Sequence, residues 1–247
     1  MPKSFARSLM RILLSALCVC AMQTAFAANA SPSGSTQQEH STTVTTKIQY
    51  LLFLPKTYSE KGEPSPLMIF LHGSGERGSD LSMVKKWGPP AIAEKNPDFP
   101  FILISPQAPE GGWWHPQEIK AIIDEVMATH NVDRHRVYVT GLSMGGFGTW
   151  DLVAAYPKLF AAAAPVCGGG DPFFARFMKG VPVWAFHGKK DDAVPEEQSA
   201  NMVAALKETG GEVKYTMLPD AGHIDAWVYA YGPDSGLFDW LLQHRKP

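Results

Sequence analysis

Short, almost wholly apolar runs alternate with segments of helical periodicity along most of this chain, and that alternation leaves few folds open. "PLMIFLHG", "FILISPQ", "HRVYVTGLS", "AAAAPVCGG", "VPVWAFHG" and "EVKYTMLPDAGH" read as strands. Several are apolar at successive positions, the pattern of a strand covered on both faces. Between them lie "HPQEIKAIIDEVMATHNV", "GGFGTWDLVAAYP" and "PEEQSANMVAALKETG", and "GLFDWLLQHR" follows the last. In the first of these, Ile119, Ile122, Ile123, Val126 and Met127 recur at helical spacing, so one face packs on a sheet. Pro195 suits a first turn and Gly210 a helix end. Strand followed by helix, repeated, predicts an α/β fold with a mostly parallel sheet flanked by helices. An earlier segment, "TTVTTKIQYLLFLP", reads as a strand or hairpin. No repeat or long linker divides the 247 residues, so a single catalytic-sized domain over 44–247 is expected.

The first residues follow other rules. Lys3, Arg7 and Arg11 precede an apolar run from Ile12 to Met22, and Ala25-Phe26-Ala27 is a small-x-small cleavage pattern. Residues 1–27 read as a secretory signal peptide, cut after Ala27, which implies a secreted or periplasmic protein. As a transmembrane anchor the apolar run falls short of the ~20 residues a span needs, and no stable membrane insertion is expected. Cys18 and Cys20 lack the approach sequence of a lipid-anchored cysteine. Residues 28–43, rich in Ser, Thr, Gln and Asn, read as a flexible leader. After cleavage only Cys167 remains, so no internal disulfide forms, and Cys167 is expected to be a buried structural thiol. The formal net charge of −2, without a basic run, points to no nucleic-acid partner, and none is expected. The sequence names no oligomeric state.

In sheets of this kind ligands bind beyond the carboxyl ends of the strands. Four loops there carry chemistry: "HGSGERG", "GLSMGG", "HGKKDDAVP" and "DAGHIDAW". Ser143 sits in Gly-x-Ser-x-Gly between a predicted strand and a predicted helix. Gly141 and Gly145 leave room for a sharp turn that lifts its hydroxyl off the sheet. Serine needs a base to become nucleophilic, and His223, late in the chain, is the candidate. The base in turn needs an acid, and either Asp191 or Asp192 follows the right strand. Backbone N–H groups of Met144 and of Ser74, in the glycine-rich first loop, are candidate donors to an oxyanion. His72 reads as structural, and Glu76 and Arg77 as braces of that loop. Trp113 and Trp114 lie on the same side and offer flat faces for substrate, or else pack in the core or at the rim. Asp171, Phe173 and Phe174 are candidates for an acyl pocket or for the core.

Together these residues resemble the α/β-hydrolase superfamily from about Val44 to Leu242. "LHGSGERG", "GLSMGGFGTWDL", "HGKKDDAVP" and "GHIDAW" are similar to motifs of small exported esterases. These include phospholipase/carboxylesterase-like, dienelactone-hydrolase-like and predicted prolyl-oligopeptidase-type enzymes, and bacterial feruloyl and acetyl-xylan esterases. The resemblance implies the order nucleophile, acid, base as Ser143, Asp191, His223, and it selects Asp191 over Asp192 through the pattern HGxxDxxVP. It implies a serine hydrolase of carboxylic esters, small or polymer-attached, with no cofactor and no metal. The short interval from Ser143 to Asp191 leaves no room for a sizeable cap domain, so the cleft is expected to be open. A serine peptidase is the alternative within enzymes, although a gating propeller domain is lacking. A non-catalytic binding protein on the same fold is the alternative outside them, disfavoured because all three triad positions are filled.

Overall fold

Strand order and direction follow from how the chain buries its apolar runs. The computed structural model describes residues 46–247. The expected signal segment and leader, 1–27 and 28–43, lie outside the described residues. Seven strands, β1 (Gln49–Phe53), β2 (Ser65–Leu71), β3 (Ile102–Gln107), β4 (Val132–Leu142), β5 (Ala162–Val166), β6 (Val183–Gly188) and β7 (Val213–Leu218), form one sheet in the order β1-β3-β2-β4-β5-β6-β7. All neighbouring pairs are parallel except β1, which runs antiparallel to β3 at one edge. The segment expected as a strand or hairpin thus contributes one strand among the described residues.

Alternate side chains on each inner strand feed two cores. Leu67, Ile69 and Leu71 of β2 join Val137 and Val139 of β4 on one face. The helices α2 (Pro116–Thr129), α3 (Met144–Ala155) and α4 (Glu197–Glu208) cover that face through Ile119, Ile123, Trp150, Val153 and Leu206. Met68, Phe70 and Tyr138 point the other way, under α1 (Gly88–Ala93), α5 (His223–Tyr231) and α6 (Leu237–Gln243). Burial on both faces is why these strands are apolar at consecutive positions rather than alternating. Helix ends follow local rules: Pro116 opens α2, and Gly210, just beyond α4, has φ +77. Helix α1 has no counterpart in the sequence expectation, because "GPPAIA" is too short to show periodicity.

The chain moves outward from β2 to β3, then returns to the other side of β2 to form β4. The direction of winding therefore reverses between β2 and β4, and the two loops at their carboxyl ends diverge there. Such a switch point opens a crevice by topology alone. Between Ala155 and Asp191 the chain forms β5, a 3-10 turn over Pro172–Phe177 and β6, with no inserted domain. Among the described residues no helix is long and apolar enough to cross a membrane.

Candidate active site

Ser143 stands at that switch point, between the end of β4 and the start of α3. Its backbone takes φ 55 and ψ −119, a conformation that costs a non-glycine residue about 1–3 kcal/mol. The turn is held from both sides: Ser143 N donates to Val166 O at 2.9 Å, and Phe147 N donates to Ser143 O at 3.1 Å. The flanking glycines are required by proximity. A Cβ on Gly141 would lie 2.8 Å from Leu71 O, and one on Gly145 would lie 2.8 Å from His72 O.

His223 is the first residue of α5. Its Nε2 lies 2.9 Å from Ser143 Oγ, and its Nδ1 lies 2.5 Å from Asp191 Oδ2. The carboxylate only accepts, so Nδ1 carries the proton and Nε2 is left bare toward the hydroxyl. The Asp191 side chain is wholly buried. Burial alone would raise its carboxyl, but the Val194 N–H, the bond to His223 with its charge, and the Ala193 N–H outweigh this and hold it below the usual range. Those two N–H groups donate to Oδ1 at 2.8 and 3.0 Å, while Oδ2 is the oxygen that faces His223. Asp192 is exposed. The residue type and the loop were readable in the sequence. Which of two adjacent aspartates turned inward was decided by this tight turn.

The loop after β2 lies against Ser143. A Cβ on Gly73 would sit 3.5 Å from Ser143 Cβ, and Ser74 begins a 3-10 turn over Ser74–Glu76. Met144 opens α3, where the first N–H groups of a helix have no partner within it. Glu76 and Arg77 do brace this region, though not by pairing with each other. Glu76 is buried, and desolvation pushes its carboxyl up, offset by Lys86 and by the backbone N–H groups of Gly73 and Glu76. Its carbonyl accepts from Gln107 Nε2 at 2.9 Å, and Arg77 Nη2 lies 2.9 Å from Met144 Sδ. His72 is structural: Nε2 accepts from Ala108 N at 3.0 Å, and Nδ1 lies 2.6 Å from Gly73 O. Burial depresses it to about 4, so the ring is neutral at neutral pH.

The two tryptophans part company. Trp114, expected beside the substrate, is only 4% exposed and belongs to the core. Its Nε1 donates to His72 O at 3.2 Å, and its ring packs edge-on to His72 at 4.7 Å. That corrects the expectation for Trp114: a ring with its polar atom already satisfied in the interior has no face left for a ligand. Trp113 is 44% exposed, with Phe147 at 6.1 Å and the Arg77 guanidinium at 5.9 Å from its ring. Asp171 caps the 3-10 turn through Phe173 N at 2.9 Å, and Phe173 and Phe174 are exposed on the surface rather than in the core.

Cys167 is buried at the end of β5 with Sγ 3.7 Å from His223 O. Cys167, Asp191 and His223 offer ligand atoms within 4.8 Å of one another. The set does not fit a metal. Ligation needs a thiolate, whereas burial pushes this thiol well up, and the charge of Asp191 pushes it further. The nitrogen of His223 nearest to them is already bound to Asp191.

Sequence and fold comparisons agree with this architecture. A profile described as the Prolyl oligopeptidase family matches residues 171–244, which include Asp191 and His223. The chain is similar to a bifunctional acetylxylan esterase/xylanase of Neocallimastix patriciarum, 28% identical over 196 residues, covering 74% of this chain and 28% of the relative. It is 33% identical over 122 residues to poly(3-hydroxyalkanoate) depolymerase C of Paucimonas lemoignei, covering 42% of this chain and 28% of the relative. The chain thus spans well under two thirds of either. A solved thermostable esterase superposes with a TM-score of 0.70 at 33% identity, over 81% of this chain and 60% of that one. The winding of the sheet, the strained serine turn at its switch point and these likenesses show that the chain has the α/β-hydrolase fold.

Proposed function

We propose that this protein is an exported serine hydrolase that cleaves carboxylic esters through an acyl-enzyme on Ser143. The observation that carries the reading is the unbroken line from Ser143 Oγ through both nitrogens of His223 to the buried Asp191. Ser143 Oγ attacks the ester carbonyl while His223 Nε2 takes its proton. Asp191 steadies the resulting imidazolium and fixes the tautomer. The N–H groups of Met144 and Ser74 stabilise the oxyanion of the tetrahedral intermediate. His223 then protonates the leaving alcohol, and in the second half it activates water to release the acid and restore Ser143. Trp113, exposed beside the nucleophile's helix, contributes a substrate-facing surface.

Esters are favoured over amides because the similar proteins named above include esterases and an ester-polymer depolymerase. The peptidase reading draws on the partial family match over 171–244. The substrate is a small or polymer-attached ester, and no cofactor takes part. Export to the periplasm or beyond rests on the pattern ending at Ala27, and a mature chain beginning at Ala28 would bear it out.

The test is a panel of esters with short, long, feruloyl and acetyl-xylan acyl groups, beside amides of the same acyl groups. Wild type is expected to hydrolyse esters well ahead of the matched amides and to be labelled by a fluorophosphonate at Ser143. Ser143→Ala is expected to lose both. Labelling at another residue, or undiminished turnover by the variant, would end the proposal.

A further inference from the structure

A second histidine lies behind the acid. His187, the penultimate residue of β6 before the Asp191 loop, is wholly buried. Its Nε2 is 3.0 Å from Val194 O and 3.1 Å from Asp191 Oδ2. Both oxygens only accept, so Nε2 carries a proton. Its Nδ1 is 2.7 Å from Ser199 Oγ, on α4. That hydroxyl is also 2.6 Å from Gly168 O, which likewise only accepts. Ser199 has one proton to give. If it goes to His187, two oxygens face each other at 2.6 Å with no hydrogen between them. If it goes to Gly168 O, Ser199 offers His187 only a lone pair, and Nδ1 must donate. All four contacts are satisfied together only when both ring nitrogens carry protons.

We infer that His187 is a buried imidazolium and a positioning residue of the site: it clamps the turn that carries Asp191 and shares that carboxylate with His223. The inference rests on the roles given above to Ser143, Asp191 and His223. The clamp works through the backbone. His187 holds Val194 O while Val194 N holds Asp191 Oδ1 at 2.8 Å, so one residue of the turn is gripped from both ends. The charge works through space. The groups that face His187 are few. Asp191 is nearest, on the turn. Glu196, just before α4, lies within its field but is bound by Tyr215 on β7 and by Lys189 at 2.9 Å. Cys167, at the end of β5, is kept neutral by burial. Asp191 is therefore the counter-ion. A carboxylate that already faces one cation is shared between the two imidazoles rather than given to His223 alone.

Histidine labelled with nitrogen-15 tests the charge without turnover. At neutral pH His187 is expected to show two ring N–H signals, identified by their loss in His187→Gln. A single signal would overturn the inference, whatever the protein hydrolyses. Ser199→Ala tests the consequence. It keeps the Nε2 clamp but removes the acceptor at Nδ1, so His187 becomes a neutral ring. The acidic limb of kcat/KM for an activated ester is then expected to move up by about one pH unit, and Ser199→Thr should restore it. A limb that stays in place or moves down would overturn the electrostatic role. If no ester is turned over, the function proposed above fails while the N–H signals still decide the state of His187.

Discussion

Gly145 and Leu71 meet backbone to backbone, so closely that a Cβ on Gly145 would overlap the Leu71 carbonyl group. The contact presses α3 against the end of β2 and brings the Ser143 turn beside the loop of Ser74. Gly145→Ala must separate the two. It is expected to cost about 3 kcal/mol, at the upper end of overpacking penalties. Urea unfolding would measure the loss, and a variant as stable as wild type would contradict the packing described.

Asp191 and Asp192 are neighbours in sequence with different surroundings. Asp191→Asn replaces an acceptor with an amide that favours the wrong His223 tautomer, and kcat is expected to fall by about 10⁴. Asp192→Asn, on the exposed side of the turn, is expected to remain within about twofold of wild type. Steady-state kinetics on an activated ester separates the two, and equal losses would mean that the acid is misassigned.

His72 carries a pH dependence of stability. Its folded value, about 4, lies below the ordinary imidazole value near 6.5. Between those limits the unfolded chain binds the proton more readily than the folded one, so stability falls as pH drops through the window. The loss amounts to about 3 kcal/mol on full passage from above 6.5 to below 4. Unfolding free energies measured across that range should show the slope, and His72→Asn, whatever its starting stability, should show a shallower one.

Trp113 and Trp114 predict opposite phenotypes. Trp114→Ala empties a core position and leaves His72 O without its donor, at a cost of about 3–5 kcal/mol. Trp113→Ala removes a half-exposed ring, with an expected stability change within about 1 kcal/mol and a raised KM for aromatic or sugar esters. Thermal melts beside KM values would distinguish them. A stable Trp114→Ala would contradict its place in the core.

Much of this protein is local chemistry written in order along the chain. Apolar runs such as "PLMIFLHG" are strands because both faces are covered, and Ile119, Ile122, Ile123 and Val126 make a helix because their spacing gathers them on one side. Gly141 and Gly145 around Ser143 announce a sharp turn for the same local reason. Tertiary structure supplied the physical reason for choices between neighbouring side chains. Asp191 rather than Asp192 faces His223 because the N–H groups of Ala193 and Val194 close a turn on it. Trp114 rather than Trp113 is buried because the carbonyl of His72, from a distant strand end, receives its N–H. His187 looked like part of a strand, and it acquired its partners only when α4 brought Ser199 beside Gly168. Periodicity fixes which residues share a face, whereas the choice between adjacent side chains depends on hydrogen-bond partners that arrive from far along the chain.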